Sequence, residues 1–80
     1  MFRKNFSIKA FSERLKYLRE SRNYTQERVA NELNKERSTY TRYERQNTEP
    51  DLETLFILAD VYNTSIDYLV CRTNNSKPYK

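Results

Sequence analysis

Five residues between Arg37 and Arg45 could do chemistry together. Arg37, Ser38, Thr41, Arg42 and Arg45 fall at i, i+1, i+4, i+5 and i+8, which places them on one face if this stretch is a helix. That face holds guanidiniums and hydroxyls and no carboxylate. Arginine can bond the O6 and N7 of a guanine in bidentate fashion, and Ser or Thr can serve several bases. Phosphate oxygens are served by cations and by neutral donors near helix amino termini. Gln26 and Thr25 stand at such a place, and Lys35 and Arg45 could add charge at the edges. A basic face is most often only a solvated face. Two features weigh against that here: the face is free of acids, and it follows a second short helix at a fixed separation.

The elements that must position this face are legible from apolar spacing. Phe11, Leu15, Leu18 and Arg22 recur at i, i+4, i+7 and i+11, predicting a first helix over about 12–22 with Ser12 as its N-cap. Thr25 caps a second helix whose apolar stripe is Val29, Ala30 and Leu33. Arg28 stands where a capping box would carry Glu or Gln. The third helix runs from Arg37 to Glu44 or Arg45, with Tyr40, Tyr43 and Glu44 inward. Pro50 or Asp51 opens a fourth helix, where Leu52, Leu55, Phe56, Leu58, Ala59 and Tyr62 form a broad apolar face expected at the centre of the core. Thr64 or Ser65 caps a short fifth, from Ile66 to Val70 or Cys71, with Ile66, Leu69 and Val70 closing the core. The chain has no glycine, so Asn23, Asn34 and Asn63 are the expected left-handed helix stops. The fold class is all-α, a compact five-helix bundle with short links.

The segments divide as an amino-terminal arm at 1–10, a helical domain at 11–71 and a flexible tail at 72–80. Phe6, Ile8 and Ala10 alternate with polar residues, so the arm reads as solvated chain, as a short strand paired with the tail, or, through Arg3, Lys4 and Lys9, as a basic arm on phosphates.

Composition bounds the function. The 80 residues hold 15 Lys and Arg against 11 Asp and Glu, a net charge of +4, which permits a polyanionic partner without demanding one. There is no His and one Cys, so neither a metal set nor an intrachain disulfide is available, and without Gly there is no phosphate-cradling loop. No nucleophile stands with a candidate base, and Cys71 reads as a packing residue. The expectation is therefore no enzyme and no cofactor. With no apolar run of membrane-spanning length and no signal segment, the simplest reading is a soluble cytoplasmic protein with no membrane partner.

The residues also carry a family resemblance. From Phe11 to about Leu69 the chain resembles the Cro and lambda-repressor type of helix-turn-helix, the XRE family. FSERLKYLRE resembles that family's first helix. TQERVANEL resembles the second, with its TQ–x–x–[VL]–A signature. RSTYTRYERQNTEP resembles the recognition helix and the loop after it, and LETLFILADVYNTSIDYLV the closing helices. Four pieces in register make coincidence a poor account. The resemblance implies the lambda-repressor-like fold, with the second and third helices forming the helix-turn-helix. It implies Gln26 against a phosphate, Arg37, Ser38 and Thr41 facing bases, and Arg42 facing a base or a phosphate. It also implies a buried ion pair between Arg19 and Glu44. The function implied is a sequence-specific, double-stranded DNA-binding transcriptional regulator, a repressor, acting as a homodimer on a two-fold related operator with no small-molecule effector in evidence. The alternative is a protein-interaction module on the same fold, antitoxin-like or an adaptor, using Tyr17, Tyr24 and Tyr68, all expected to be exposed, and the tyrosine-bearing tail. The chain departs from the family pattern at the turn, Asn34–Lys35–Glu36, and at Gln46, where glycine is usual.

Overall fold

A chain without glycine must end its helices on residues that pay a steric cost. In the computed structural model, which describes residues 6–46 and 48–78, positive φ occurs at Asn23, Asn34, Gln46, Asn63 and Cys71. Each lies within two residues of a helix end. The helices are α1 (Ile8–Ser21), α2 (Gln26–Glu32), α3 (Arg37–Glu44), α4 (Leu52–Val61) and α5 (Ile66–Leu69). The left-handed region crowds Cβ against the carbonyl, and Asn tolerates it best among residues with a side chain. Three of the five stops are accordingly Asn.

The starts follow a second rule. Ser7, Thr25, Asp51 and Ser65 each accept a hydrogen bond from the backbone N–H three residues on, capping α1, α2, α4 and α5. Ser7 rather than Ser12 caps α1, which begins at Ile8, so residues 8–10 are helical and form no strand. Ser12 is fully buried instead, and its hydroxyl donates to the Tyr43 carbonyl at 2.6 Å. The sequence offers two serines five residues apart, and only the packing of α1 on α3 selects between them. The arm's Met1 to Asn5, with Arg3 and Lys4, lie outside the described residues, as do Asn47 of the loop and the tail's Tyr79 and Lys80.

The core is built from Phe11, Leu15 and Leu18 of α1, Val29 and Ala30 of α2 with Leu33 at its end, Tyr40 and Tyr43 of α3, Leu58 and Tyr62, and Leu69. Its weight lies on the first three helices. The fourth helix does not bury the broad face expected of it: Leu52 is 76% exposed and Phe56 64%, while Leu58 and the small polar Thr54 turn inward. A ten-residue helix rich in apolar residues has more such surface than a small domain can cover. Here α4 packs on α2 and α5, and neither covers Leu52 or Phe56. Ile66, expected to close the core, is 38% exposed, and Leu69 closes it at that end. Tyr24 and Tyr68 are half-buried, whereas Tyr17 is open to solvent.

The first helix also serves the ends of three others. The last carbonyls of a helix lack partners of their own. Ser12 reaches Tyr43 in α3, Arg14 reaches Tyr68 in α5 at 2.8 Å, and Arg22 reaches Tyr62 at the end of α4 at 2.6 Å. Arg14 continues to the Thr73 carbonyl and the Asn74 side chain, and the Thr64 hydroxyl donates to the Ser76 carbonyl at 2.7 Å. Residues 73–76 are thereby tied to the body of the domain, where the sequence suggests flexible chain.

Candidate nucleic-acid interface

The turn between α2 and α3 sets the site. After Leu33 the chain passes through Asn34 at φ 55°, and the Lys35 N–H returns to the Ala30 carbonyl at 2.9 Å. This is a helix stop of the kind glycine usually makes, formed by asparagine. Glu36 then starts α3 without a side-chain cap. Lys35 is half-buried at the position where a small apolar residue is usual, and a lysine stem can cover apolar surface there.

The third helix is split by burial. Tyr40 and Tyr43 are buried, and the Glu44 side chain is 4% exposed. Arg37, Ser38, Arg42 and Arg45 are exposed, and Thr41 is half-buried at the edge of α2. The helix has one carboxylate, and it faces inward, leaving the outer surface of α3 with donors and positive charge.

Glu44 meets Arg19 of α1 in a two-pronged ion pair, Nε to Oε2 at 2.7 Å and Nη2 to Oε1 at 3.1 Å. The remaining Arg19 nitrogen, Nη1, donates to the Tyr24 carbonyl at 3.0 Å. Burial pushes the Glu44 carboxyl up, but hydrogen bonds from Arg19, Tyr40 and Gln26 outweigh it and hold the carboxyl below its ordinary range. The bond to Glu44 in turn raises the Arg19 guanidinium. Beside the pair, the Tyr40 and Tyr62 hydroxyls meet at 2.7 Å in the core, and burial raises both. The polar centre is fully connected: among the described residues no buried side-chain nitrogen or oxygen lacks a partner.

Gln26 and Thr41 are brought together as well. Gln26 Nε2 donates to Glu44 Oε1 at 3.1 Å, and the Thr41 hydroxyl donates to Gln26 Oε1 at 2.8 Å. Thr25, exposed, accepts from the Arg28 N–H at 3.0 Å as the cap of α2. Arg28 lies over the Tyr24 ring at 4.0 Å. Nothing in the sequence singles out the link from Gln26 to Thr41. The two are 15 residues apart, and each is read alone as a ligand-facing group. Ser12, Arg14 and the tyrosine pair are missed for the same reason, since their partners are set by tertiary packing.

Two short helices meeting across a tight turn, the second buried on one face and basic on the other, define a helix-turn-helix protein. The chain belongs to the helix-turn-helix family HTH_3, which matches residues 15–69. It is 37% identical over 70 residues to YqaE of Bacillus subtilis (strain 168), an uncharacterized HTH-type transcriptional regulator, across 88% of this chain and 60% of that protein. It is 38% identical over 68 residues to the HTH-type transcriptional regulator ImmR of the same organism, across 85% and 54%. The cryptic phage CTXphi transcriptional repressor RstR of Vibrio cholerae is 40% identical over 60 residues, across 75% and 54%. The chain thus spans between 54% and 60% of the length of these relatives. Their names are those of regulators rather than enzymes. Among the described residues no helix is long and apolar enough to cross a membrane.

Proposed function

We propose that this protein binds double-stranded DNA in a sequence-specific way and regulates transcription, as a repressor. In this reading α3 enters the major groove, and a homodimer places two copies on a two-fold related operator. The observation that carries it is the division of α3: Arg37, Ser38 and Arg42 stand exposed on one face, while its one carboxylate is turned inward onto Arg19. Arg37, Ser38, Thr41 and Arg42 read base edges. Gln26, Thr25, Lys35 and Arg45 hold phosphates. Each of the latter retains a donor for that purpose, since the Gln26 amide has a second N–H and the Thr25 hydroxyl proton is not used in capping. The regulator names of the relatives, one of them a phage repressor, support the same reading. Such a protein works where the DNA is, in the cytoplasm.

Selection from random duplexes with the purified chain tests this. An inverted repeat should emerge, its half-sites about one helical turn, roughly 34 Å, apart. Arg37→Ala should lower affinity for it by about tenfold and relax preference at one base pair of each half-site. Enrichment of no repeat, or an Arg37→Ala chain that binds every duplex as the original does, would defeat the proposal.

A further inference from the structure

The bonds around Glu44 fix more than geometry; they fix which way each hydrogen bond points. An ionised carboxylate only accepts. The group of Gln26 that faces Glu44 at 3.1 Å must therefore be the amide nitrogen. The amide is planar, so its carbonyl oxygen is turned to the other side, where it meets the Thr41 hydroxyl at 2.8 Å. Two oxygens at that distance need a proton between them, and a carbonyl has none to give. Thr41 must supply it. A hydroxyl has one proton and two lone pairs. With the proton committed to Gln26, what Thr41 retains at the groove-facing edge of α3 is lone pairs alone.

We infer that Thr41 reads DNA as an acceptor only, and so selects an exocyclic amine, the N6 of adenine or the N4 of cytosine, over the keto oxygens of guanine and thymine on the strand it faces. A free threonine would discriminate little, because its hydroxyl can donate or accept as the base requires. Here the polarity is imposed from inside the domain. Arg19 keeps Glu44 charged, Glu44 orients Gln26, and Gln26 takes the proton of Thr41. Arg19, Glu44 and Gln26 are positioning residues in this sense, and Thr41 is the residue that touches the base. The inference rests on the reading of α3 as the element in the major groove.

The experiment deletes single functional groups on both sides of the contact. Starting from the selected operator, each adenine is replaced in turn by purine, and each cytosine by a pyrimidinone without the amine. Affinities are measured for the original chain, Thr41→Val and Thr41→Ser. Valine keeps the branched shape without the hydroxyl, and circular dichroism confirms that the variant is folded. At one position per half-site, loss of the amine should cost the original chain and Thr41→Ser about five- to tenfold and cost Thr41→Val nothing. The inference is overturned if Thr41→Val is insensitive to no amine deletion that the original chain feels. It is also overturned if the position coupled to Thr41 is instead a purine N7 or a keto oxygen, found with deaza-purines or with aminopurine for guanine. In both cases the operator is still bound, so the regulator reading stands. If the original chain selects no duplex at all, both fall together.

Discussion

Arg19 and Gln26 place three N–H donors on the two oxygens of Glu44, and this one carboxylate joins α1, α2 and α3. Desolvating both partners of such a pair offsets most of what their attraction contributes, so the pair is better understood as a device that fixes orientation. Removing one partner is another matter, because the other is left charged and dry. Glu44→Ala should cost about 3 kcal/mol of unfolding free energy, whereas Arg19→Met with Glu44→Leu should recover most of that loss. Urea denaturation of the two variants checks the difference, and equal losses would contradict it. The pair also sets an acid limit. The folded state holds Glu44 below its ordinary carboxylate range, so as pH falls the unfolded chain takes up that proton first. The contribution is complete above about pH 5 and declines as pH falls through the ordinary carboxylate value toward the lower folded one. Asp51, lowered by its hydrogen bonds from Thr54, acts in the same direction. The acid limb of stability should therefore be shallower in the double variant, though not absent.

At the scale of elements, the stops matter as much as the faces. Gln46 at φ 68° has neither the freedom of glycine nor the local bonding of asparagine. Gln46→Gly should stabilise the domain by about 0.5–1 kcal/mol, the relief of left-handed strain exceeding the extra freedom gained by the unfolded chain. Asn34→Gly should give less, since Asn already tolerates the conformation. Paired thermal melts would show the order, and a larger gain at Asn34 would contradict it. These stops also show what a sequence discloses. Asn23, Asn34 and Asn63 were legible because chemistry at one position, without glycine to compete, implies a local conformation. The extent of α3 and its inward Tyr40, Tyr43 and Glu44 were legible because burial follows a period. Leu52 and Phe56 were not, because hydropathy says that a face is apolar and not whether a neighbour is large enough to cover it. Ser12 and Arg14 were not, because a donor's partner 31 or 54 residues away is decided by packing. The same holds for Thr41: its place on the outer face of α3 follows from spacing, but the direction of its hydrogen bond depends on Gln26 and Glu44 together.

For the molecule as a whole, the net charge of +4 understates how its charge is arranged. Arg37, Arg42 and Arg45 are exposed on and just beyond α3, while Asp51, Glu53, Asp60 and Asp67 are exposed around α4 and α5. These four acids lower the total from outside α3, whereas exposed Glu27 and Glu32 on α2 and Glu36 at the start of α3 lie nearer, so the positive field of α3 is that of its three arginines reduced by these neighbours. Binding to DNA would release the cations condensed on each phosphate that the protein neutralises, and affinity would fall with salt in proportion to their number. A dimer making roughly 6–10 phosphate contacts should lose about 10³–10⁵ in affinity between 50 and 200 mM salt. Arg45 is the clearest test of the count, because it is exposed, lies one residue past α3, and is given a phosphate rather than a base in the proposed reading. Arg45→Ala removes one contact per subunit, so in a dimer the slope of log affinity against log salt should become shallower by about 1.8. Base preference should be unchanged, in contrast to Arg37→Ala. A full salt titration on one operator, read beside a selection with the variant, separates the outcomes. An unchanged slope removes Arg45 from the phosphate contacts, a change near 0.9 indicates that one subunit alone engages the DNA, and altered base preference moves Arg45 to the reading face.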